Sequence, residues 1–293
     1  MIKFLKMANS KKNFGAISGA TGFIGRLLSF HYAELGCNLI LIGRNYQKLV
    51  ALQNELMAIS DISIIIVKSE FETNFINGIS EDLTIYASNI YFFVNTIGSQ
   101  DPIGPFLENS DDDWTKNIYV NLIIPAILSK FFAKVFKVNG GGTIIVFGGG
   151  GASSSRPNFS SYATAKAGLA RFVETFSNEL NGSGVTINML APGIMPSEMM
   201  NQIIDNSKNA GTLEVLKAQS ALTNTGWLPT RIIELSDFLI QNLDLNISGK
   251  LISAEWDNWR VWIDHITEIN GSDLYTLRRI TNKDRGLTWG EQA

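Results

Sequence analysis

The chain has 293 residues, 45% hydrophobic and 17% charged, which excludes a disordered segment and leaves ample apolar surface for a core. A formal net charge of −3 argues against a general nucleic-acid binder, because neutralising phosphates takes a surplus of Lys and Arg. The single cysteine excludes a disulfide framework or a cysteine zinc cluster, and two distant histidines, His31 and His265, make no metal site.

The amino terminus is broken by Lys3, Lys6, Lys11 and Lys12 and holds no apolar stretch of signal-peptide length. No run of about eighteen apolar residues follows, so the chain is expected to be cytoplasmic and to have no membrane span. Residues 14–18 form the first short apolar run, and a glycine loop at 19–25 leads into a helix ending near residue 36. Further strands are expected at 38–42, 61–67, 91–95, 143–147, 185–190 and 247–253. Helical patterns occupy 46–59, 111–138 and 160–180, while 193–226 is polar and irregular, and the length and polarity of 195–226 fit a mobile loop that closes as a lid. Short apolar runs alternating with helices imply an α/β fold, a doubly wound parallel sheet buried on both faces. Residues 1–253 read as one Rossmann-like domain and 254–293 as a carboxy-terminal extension packed on it. In that extension Trp256, Trp259 and Trp262 recur at every third residue, a stripe for burial or, alternatively, for stacking on a sugar. Cys37 reads as a small core residue. Asp111, Asp112 and Asp113 read as the acidic first turn of a helix, since no histidine or cysteine pattern accompanies them.

Ser18-Gly19-Ala20-Thr21-Gly22-Phe23-Ile24-Gly25 lies between the first strand and the first helix. Glycines there allow a tight turn and close approach of the backbone to a pyrophosphate, which the helix N-terminus then favours electrostatically. The second strand ends in Gly43-Arg44. A carboxylate at that point would hold a ribose 2′-hydroxyl, whereas a guanidinium suits a 2′-phosphate, so NADP(H) is favoured over NAD(H). Tyr162 and Lys166 stand one helical turn apart on one face. A neighbouring ammonium stabilises a phenolate, which would make Tyr162 a usable general acid or base near neutral pH.

Together these residues resemble the short-chain dehydrogenase/reductase family, over roughly residues 13–253. The glycine loop, Asn95-Thr96-Ile97-Gly98, Asn121, the Tyr162/Lys166 pair and Pro192-Gly193 occur in the family's order. The resemblance implies that Tyr162 exchanges a proton with a carbonyl or alcohol oxygen and that Lys166 also binds the nicotinamide ribose. It implies that Asn121 holds a water of the proton relay and that Asn95 is a structural asparagine. It places Glu70 at the adenine, and Ile194 and Ser197 at the nicotinamide end. It also implies a homodimer or homotetramer acting on a small-molecule carbonyl or alcohol.

Two departures stand out. Phe23 occupies the position of the middle glycine of the family's compact branch, so Gly19, Gly22 and Gly25 follow the spacing of the nucleotide-sugar branch. The length and Pro192-Gly193 resemble the compact branch, to which we assign the chain. The family's catalytic serine, about thirteen residues before the tyrosine, is replaced by Gly149 within Gly148-Gly149-Gly150-Gly151. Ser153, followed by Ser154 and Ser155, is the expected substitute; a backbone N–H, a substrate group or lost chemistry are the alternatives. The sequence thus predicts a metal-free oxidoreductase transferring hydride between NADP(H) and a small-molecule carbonyl or secondary alcohol. The competing readings are a non-catalytic dinucleotide-binding protein of this fold and an enzyme modifying nucleotide-linked sugars.

Overall fold

The computed structural model describes residues 14–224 and 229–289. The lysine-interrupted amino terminus, the end of the expected lid and the last residues of the extension therefore lie outside the described residues.

Seven strands form one parallel sheet: β1 (Phe14–Ser18), β2 (Asn38–Gly43), β3 (Ile64–Lys68), β4 (Ile90–Asn95), β5 (Gly142–Phe147), β6 (Val185–Ala191) and β7 (Leu251–Ser253). Their order, β3-β2-β1-β4-β5-β6-β7, reverses between β1 and β4. A ligand crevice is expected outside the carboxyl ends of the strands at such a switch point. The doubly wound expectation therefore holds.

Successive strand residues point to opposite faces, and here both faces are apolar. Ile17, Leu41, Val94 and Leu190 face one layer, packed on Leu28 of α1 (Phe23–Glu34), Leu52 of α2 (Tyr46–Met57) and Leu235 of α8 (Thr230–Gln241). Their neighbours Ala16, Ile40, Phe93 and Met189 face the other. There they meet Ile79 of α3 (Phe75–Leu83), Phe132 of α4 (Asp111–Asn139) and Leu169 of α5 (Ser160–Glu179). Phe132 stacks on Phe93 with ring centroids 4.0 Å apart, and truncating a buried phenylalanine of this kind costs about 3–5 kcal/mol.

α4 starts as the acidic run predicts: the Ser110 side chain accepts from Asp113 N–H at 3.1 Å, with three aspartates in the first turn. By length and composition α4 is apolar enough to cross a membrane, but its apolar residues Leu128, Phe132 and Phe136 are buried against the sheet. At Tyr119–Ile123 the helix widens into a π-turn that contains Asn121.

The segment expected to be irregular is largely helical: α6 (Glu198–Asp205), a single turn at Ser207–Ala210, and α7 (Thr212–Thr223). Its buried residues Ile203, Ala210 and Ala218 form a small separate cluster with Ile103, Phe159 and Tyr162. α3 and α8 are additional to the expected helices, and β7 is shorter than the apolar run around it.

After β7 the chain enters a 3₁₀ stretch, Trp259–His265, in which residues three apart eclipse one another. Trp259 and Trp262 therefore share a face and join the cluster of α1 and α8. Trp256 departs from the expected stripe: it sits in the preceding turn, its N–H bonded to Ser253 Oγ, and is 80% exposed. α9 (Ile266–Gly271) follows. The chain then returns to the sheet edge, where Leu251 N–H donates to Tyr275 O at 2.8 Å and the Lys250 ammonium donates to Ser272 O and Leu274 O. Cys37 is buried in the core, and burial pushes its thiol up to about 11, away from any reactive thiolate.

Candidate active site

The loop between β1 and α1 is shaped by two glycines. Gly19 has φ +72°, and a Cβ there would lie 2.7 Å from Thr96 Oγ1; a Cβ at Gly25 would lie 2.2 Å from Gly19 O. Gly22 stands at the N-cap of α1, with no side chain between the loop and the amino end of the helix, where the helix dipole is positive. Thr21 and Phe23 flank that cap, Phe23 partly exposed at the first helical position, while Ile24 packs against the core. A cradle that any side chain would fill, opening onto a helix N-terminus, fits a pyrophosphate.

A crevice of about 1190 Å³ runs from this loop across the carboxyl ends of β1 and β4. That exceeds the roughly 300–1,000 Å³ of an ordinary small-molecule pocket and suits an extended ligand. Gly22, Arg44, Lys48, Lys68 and Glu70 line one end, with Lys68 paired to Glu70 at 2.9 Å. Three cations against one carboxylate give that end a positive field. The other end reaches Gly98 and Asn117.

Gly98 marks the junction with the chemistry. A Cβ on it would lie 3.2 Å from Asn121 Oδ1, 3.4 Å from Met199 Cε in α6 and 3.8 Å from Lys166 Nζ. Tyr162 and Lys166, on α5, are 4% and 2% exposed. Lys166 donates to Phe147 O at 2.8 Å, and burial pushes its ammonium down to about 8. The effect on the tyrosine differs from the expectation. Burial raises the phenol above its ordinary range, and the cation that draws it back is the Arg156 guanidinium rather than Lys166.

Gly149 lies directly against the tyrosine: a Cβ there would be 2.1 Å from Tyr162 Oη. The phenol oxygen thus fills the room that a side chain at Gly149 would need. Ser153 does not take up the vacated role. It is exposed, as are Ser154 and Ser155, and among the described residues no hydrogen bond joins any of them to Tyr162. The residue that this loop brings to the tyrosine is Arg156, its guanidinium 5.5 Å from the ring centroid. Arg156 is missing from the sequence-based set because its sole sign is one cation after a run of glycines and serines; its burial is a tertiary fact.

Asn121 is fully buried and committed. Its Nδ2 donates to Ser99 O at 2.8 Å and to Asn117 Oδ1 at 3.0 Å, and its Oδ1 accepts from Ser99 N–H. Asn95, at the end of β4, accepts from Ser18 Oγ at 2.7 Å and leaves its buried Nδ2 without a partner. Beyond β6, Pro192 is buried and Gly193 has φ +82° with its Cβ position 3.2 Å from Glu255 Cβ. Ile194 is exposed, and the buried Ser197 Oγ at the start of α6 has no partner. Among the described residues no cluster of His, Cys, Asp or Glu has metal-binding geometry.

The short chain dehydrogenase family model matches residues 15–208. Among curated relatives, a 3-oxoacyl-[acyl-carrier-protein] reductase FabG from Rickettsia bellii is 27% identical over 236 residues, covering 80% of this chain and 92% of the relative. An NADPH-dependent aldehyde reductase-like chloroplastic protein from Arabidopsis thaliana is 25% identical over 251 residues, covering 80% and 90%. A short-chain type dehydrogenase/reductase from Mycobacterium ulcerans superposes with a TM-score of 0.71 at 17% identity, covering 89% of this chain and 96% of that one. A short chain dehydrogenase from Bacillus anthracis gives 0.67 at 22% identity, covering 83% and 95%. The matched span takes in the glycine cradle, the Tyr162/Lys166 pair and Pro192-Gly193, and the chain belongs to the short-chain dehydrogenase/reductase family of NAD(P)-dependent oxidoreductases.

Proposed function

We propose that the protein transfers hydride between NADP(H) and the carbonyl or secondary alcohol of a small molecule. The observation that carries this is the buried Tyr162/Lys166 pair beside Gly98, where the glycine-cradle crevice ends. The cradle would hold the pyrophosphate, and Arg44, with Lys48 and Lys68, would hold a 2′-phosphate. Thr21, Phe23 and Ile24 would frame the loop, Glu70 would meet the adenine, and Pro192, Gly193, Ile194 and Ser197 would border the nicotinamide. When bound, the nicotinamide supplies the hydride in the reductive direction. Tyr162 gives its hydroxyl proton to the carbonyl oxygen and takes one back in the reverse direction. Lys166, still protonated at pH 7, would bind the ribose with the donors left over from Phe147 O. Asn121 fixes the Ser99 backbone beside Gly98 and would carry the relay water. The names of the Rickettsia and Arabidopsis relatives, a 3-oxoacyl reductase and an aldehyde reductase-like protein, support a carbonyl substrate. We also read the protein as cytoplasmic and homodimeric or homotetrameric, supported by the family resemblance.

The test is NADPH oxidation with a panel of a 3-oxo ester, an aldehyde and a 1,2-diketone, comparing wild type with Tyr162→Phe. Turnover that falls by two orders of magnitude or more supports the role; undiminished turnover in the variant removes it. The bare Gly149 favours a second reading, a protein that binds the dinucleotide without turning over substrate. It predicts calorimetric NADPH binding with no oxidation across the whole panel.

A further inference from the structure

Two cations stand at nearly equal range from the Tyr162 ring centroid: Lys166 Nζ at 5.7 Å and the Arg156 guanidinium at 5.5 Å. Lys166 lies one turn along the same helix. Arg156 comes from the loop after β5, the loop that in this chain lacks its serine, and it is held from two further segments. Its Nε and Nη2 reach Glu214 Oε2 of α7 at 2.8 and 2.7 Å, and its Nη2 reaches Gln100 Oε1 beyond β4 at 3.4 Å. The guanidinium also lies over the Phe159 ring, 3.8 Å from the centroid. The side chains of Arg156 and Glu214 are only 11% and 15% exposed. Burying such a pair seldom adds net stability, because desolvation offsets the attraction, so its place beside the tyrosine calls for another reason.

We propose that Arg156 is a positioning residue that replaces the missing serine: clamped by Glu214 of the lid, its guanidinium holds the Tyr162 side chain against Gly149 and stabilises the phenolate. The proposal rests on the reading of Tyr162 as the proton donor. In the reductive direction the Tyr162 O–H bond breaks as the product O–H bond forms, leaving a phenolate. The charged groups facing that phenolate are Lys166 from α5 and Arg156 from the loop. Glu214 lies behind Arg156 and is shared with Lys217 on α7. A serine would donate one hydrogen bond to the substrate oxygen, whereas Arg156 acts on the tyrosine through charge and packing. Burial drives the phenol upward, and Arg156 is the group that opposes the rise. Because Glu214 belongs to α7, the clamp is complete only with the lid down on the small cluster that contains Tyr162.

The test is a carbon-13 titration of the full chain labelled at tyrosine Cζ, with Tyr162→Phe assigning the resonance and circular dichroism confirming the fold. Arg156→Gln should move the Tyr162 midpoint up by about one pH unit, and Arg156→Lys should restore most of the shift. Arg156→Gln/Glu214→Gln strands no buried charge and should also raise the midpoint. An unchanged midpoint in both folded variants overturns the proposal. That result is separable from failure of the functional reading, which shows as undiminished carbonyl turnover in Tyr162→Phe whatever the midpoints.

Discussion

Alanine at Gly149 would place a methyl carbon 2.1 Å from the Tyr162 hydroxyl oxygen. Ordinary contact between such atoms is about 3.5 Å, so roughly 1.4 Å of overlap must be relieved. The glycine cannot simply retreat, since Gly148 N–H is bonded to Leu190 O and the cap of β5 is fixed to β6. Nor is the phenol free to swing away, because Phe159, Ile203 and Ala218 pack with it under the lid. Overpacking of this kind costs about 1–3 kcal/mol, which should appear as a lowered urea midpoint with an unchanged slope. Tyr162→Phe removes the clashing oxygen and leaves ring carbon Cζ at 3.1 Å, so the double variant should recover much of the loss. The cycle of two single variants and the double should give a coupling of about 1 kcal/mol or more. Gly149→Ala within about 0.5 kcal/mol of wild type, or strict additivity with Tyr162→Phe, would refute the idea that the phenol occupies the serine's room. The same geometry predicts that Gly149→Ser does not raise turnover, because its Cβ meets the same oxygen.

Two further variants probe the charges of the site. Lys166 falls from 10.5 to about 8 on burial, which corresponds to about 3 kcal/mol against the charged form at pH 7. The unfolded chain holds the proton up to 10.5 and the folded chain only to about 8, so wild type gains stability as pH rises between those values. Lys166→Met should therefore be more stable than wild type below pH 8, by about 1–2 kcal/mol after loss of the bond to Phe147 O. Its advantage should shrink toward pH 10; urea unfolding at four pH values checks this, and a pH-independent difference would contradict it. Arg44→Ala should weaken NADPH binding about tenfold and leave NADH within twofold, as measured by cofactor fluorescence. Equal losses for the two cofactors would count against the 2′-phosphate role.

Much of the frame was readable from local pattern. Ala16 and Ile17 alternate between two apolar layers, Gly19 and Gly25 are required by backbone approach, and Tyr162 and Lys166 share a face by helical spacing. The lid was less readable, because Leu213, Leu216 and Leu222 are exposed and only Ile203, Ala210 and Ala218 with their neighbours pack into one small cluster under α6 and α7. α3 begins at Asn74 in a left-handed conformation and is too short for periodicity to declare itself. α8 carries a legible signal, Ile232, Leu235 and Leu239 at helical spacing, that is absent from the expected series of elements. The largest gap is Arg156. A lone arginine in a loop reads as solvated, and only the arrival of Glu214 and Gln100 from distant segments turns it into a buried cation.

The return of the chain to β7 bears on how copies of this protein can meet. An outer strand normally presents a row of unpaired N–H and C=O groups that invites another strand to add to it. Here the outward Leu251 N–H is already taken by Tyr275 O, and the Lys250 ammonium ties Ser272 and Leu274 down beside it. β7 is three residues long, and Tyr275 is itself anchored by its ring against the buried Trp262 at 4.4 Å. A second copy could extend the sheet on this side only by displacing that anchored segment. Sheet-to-sheet continuation is thereby blocked at this edge, and the same covering strip guards it against fibrous aggregation.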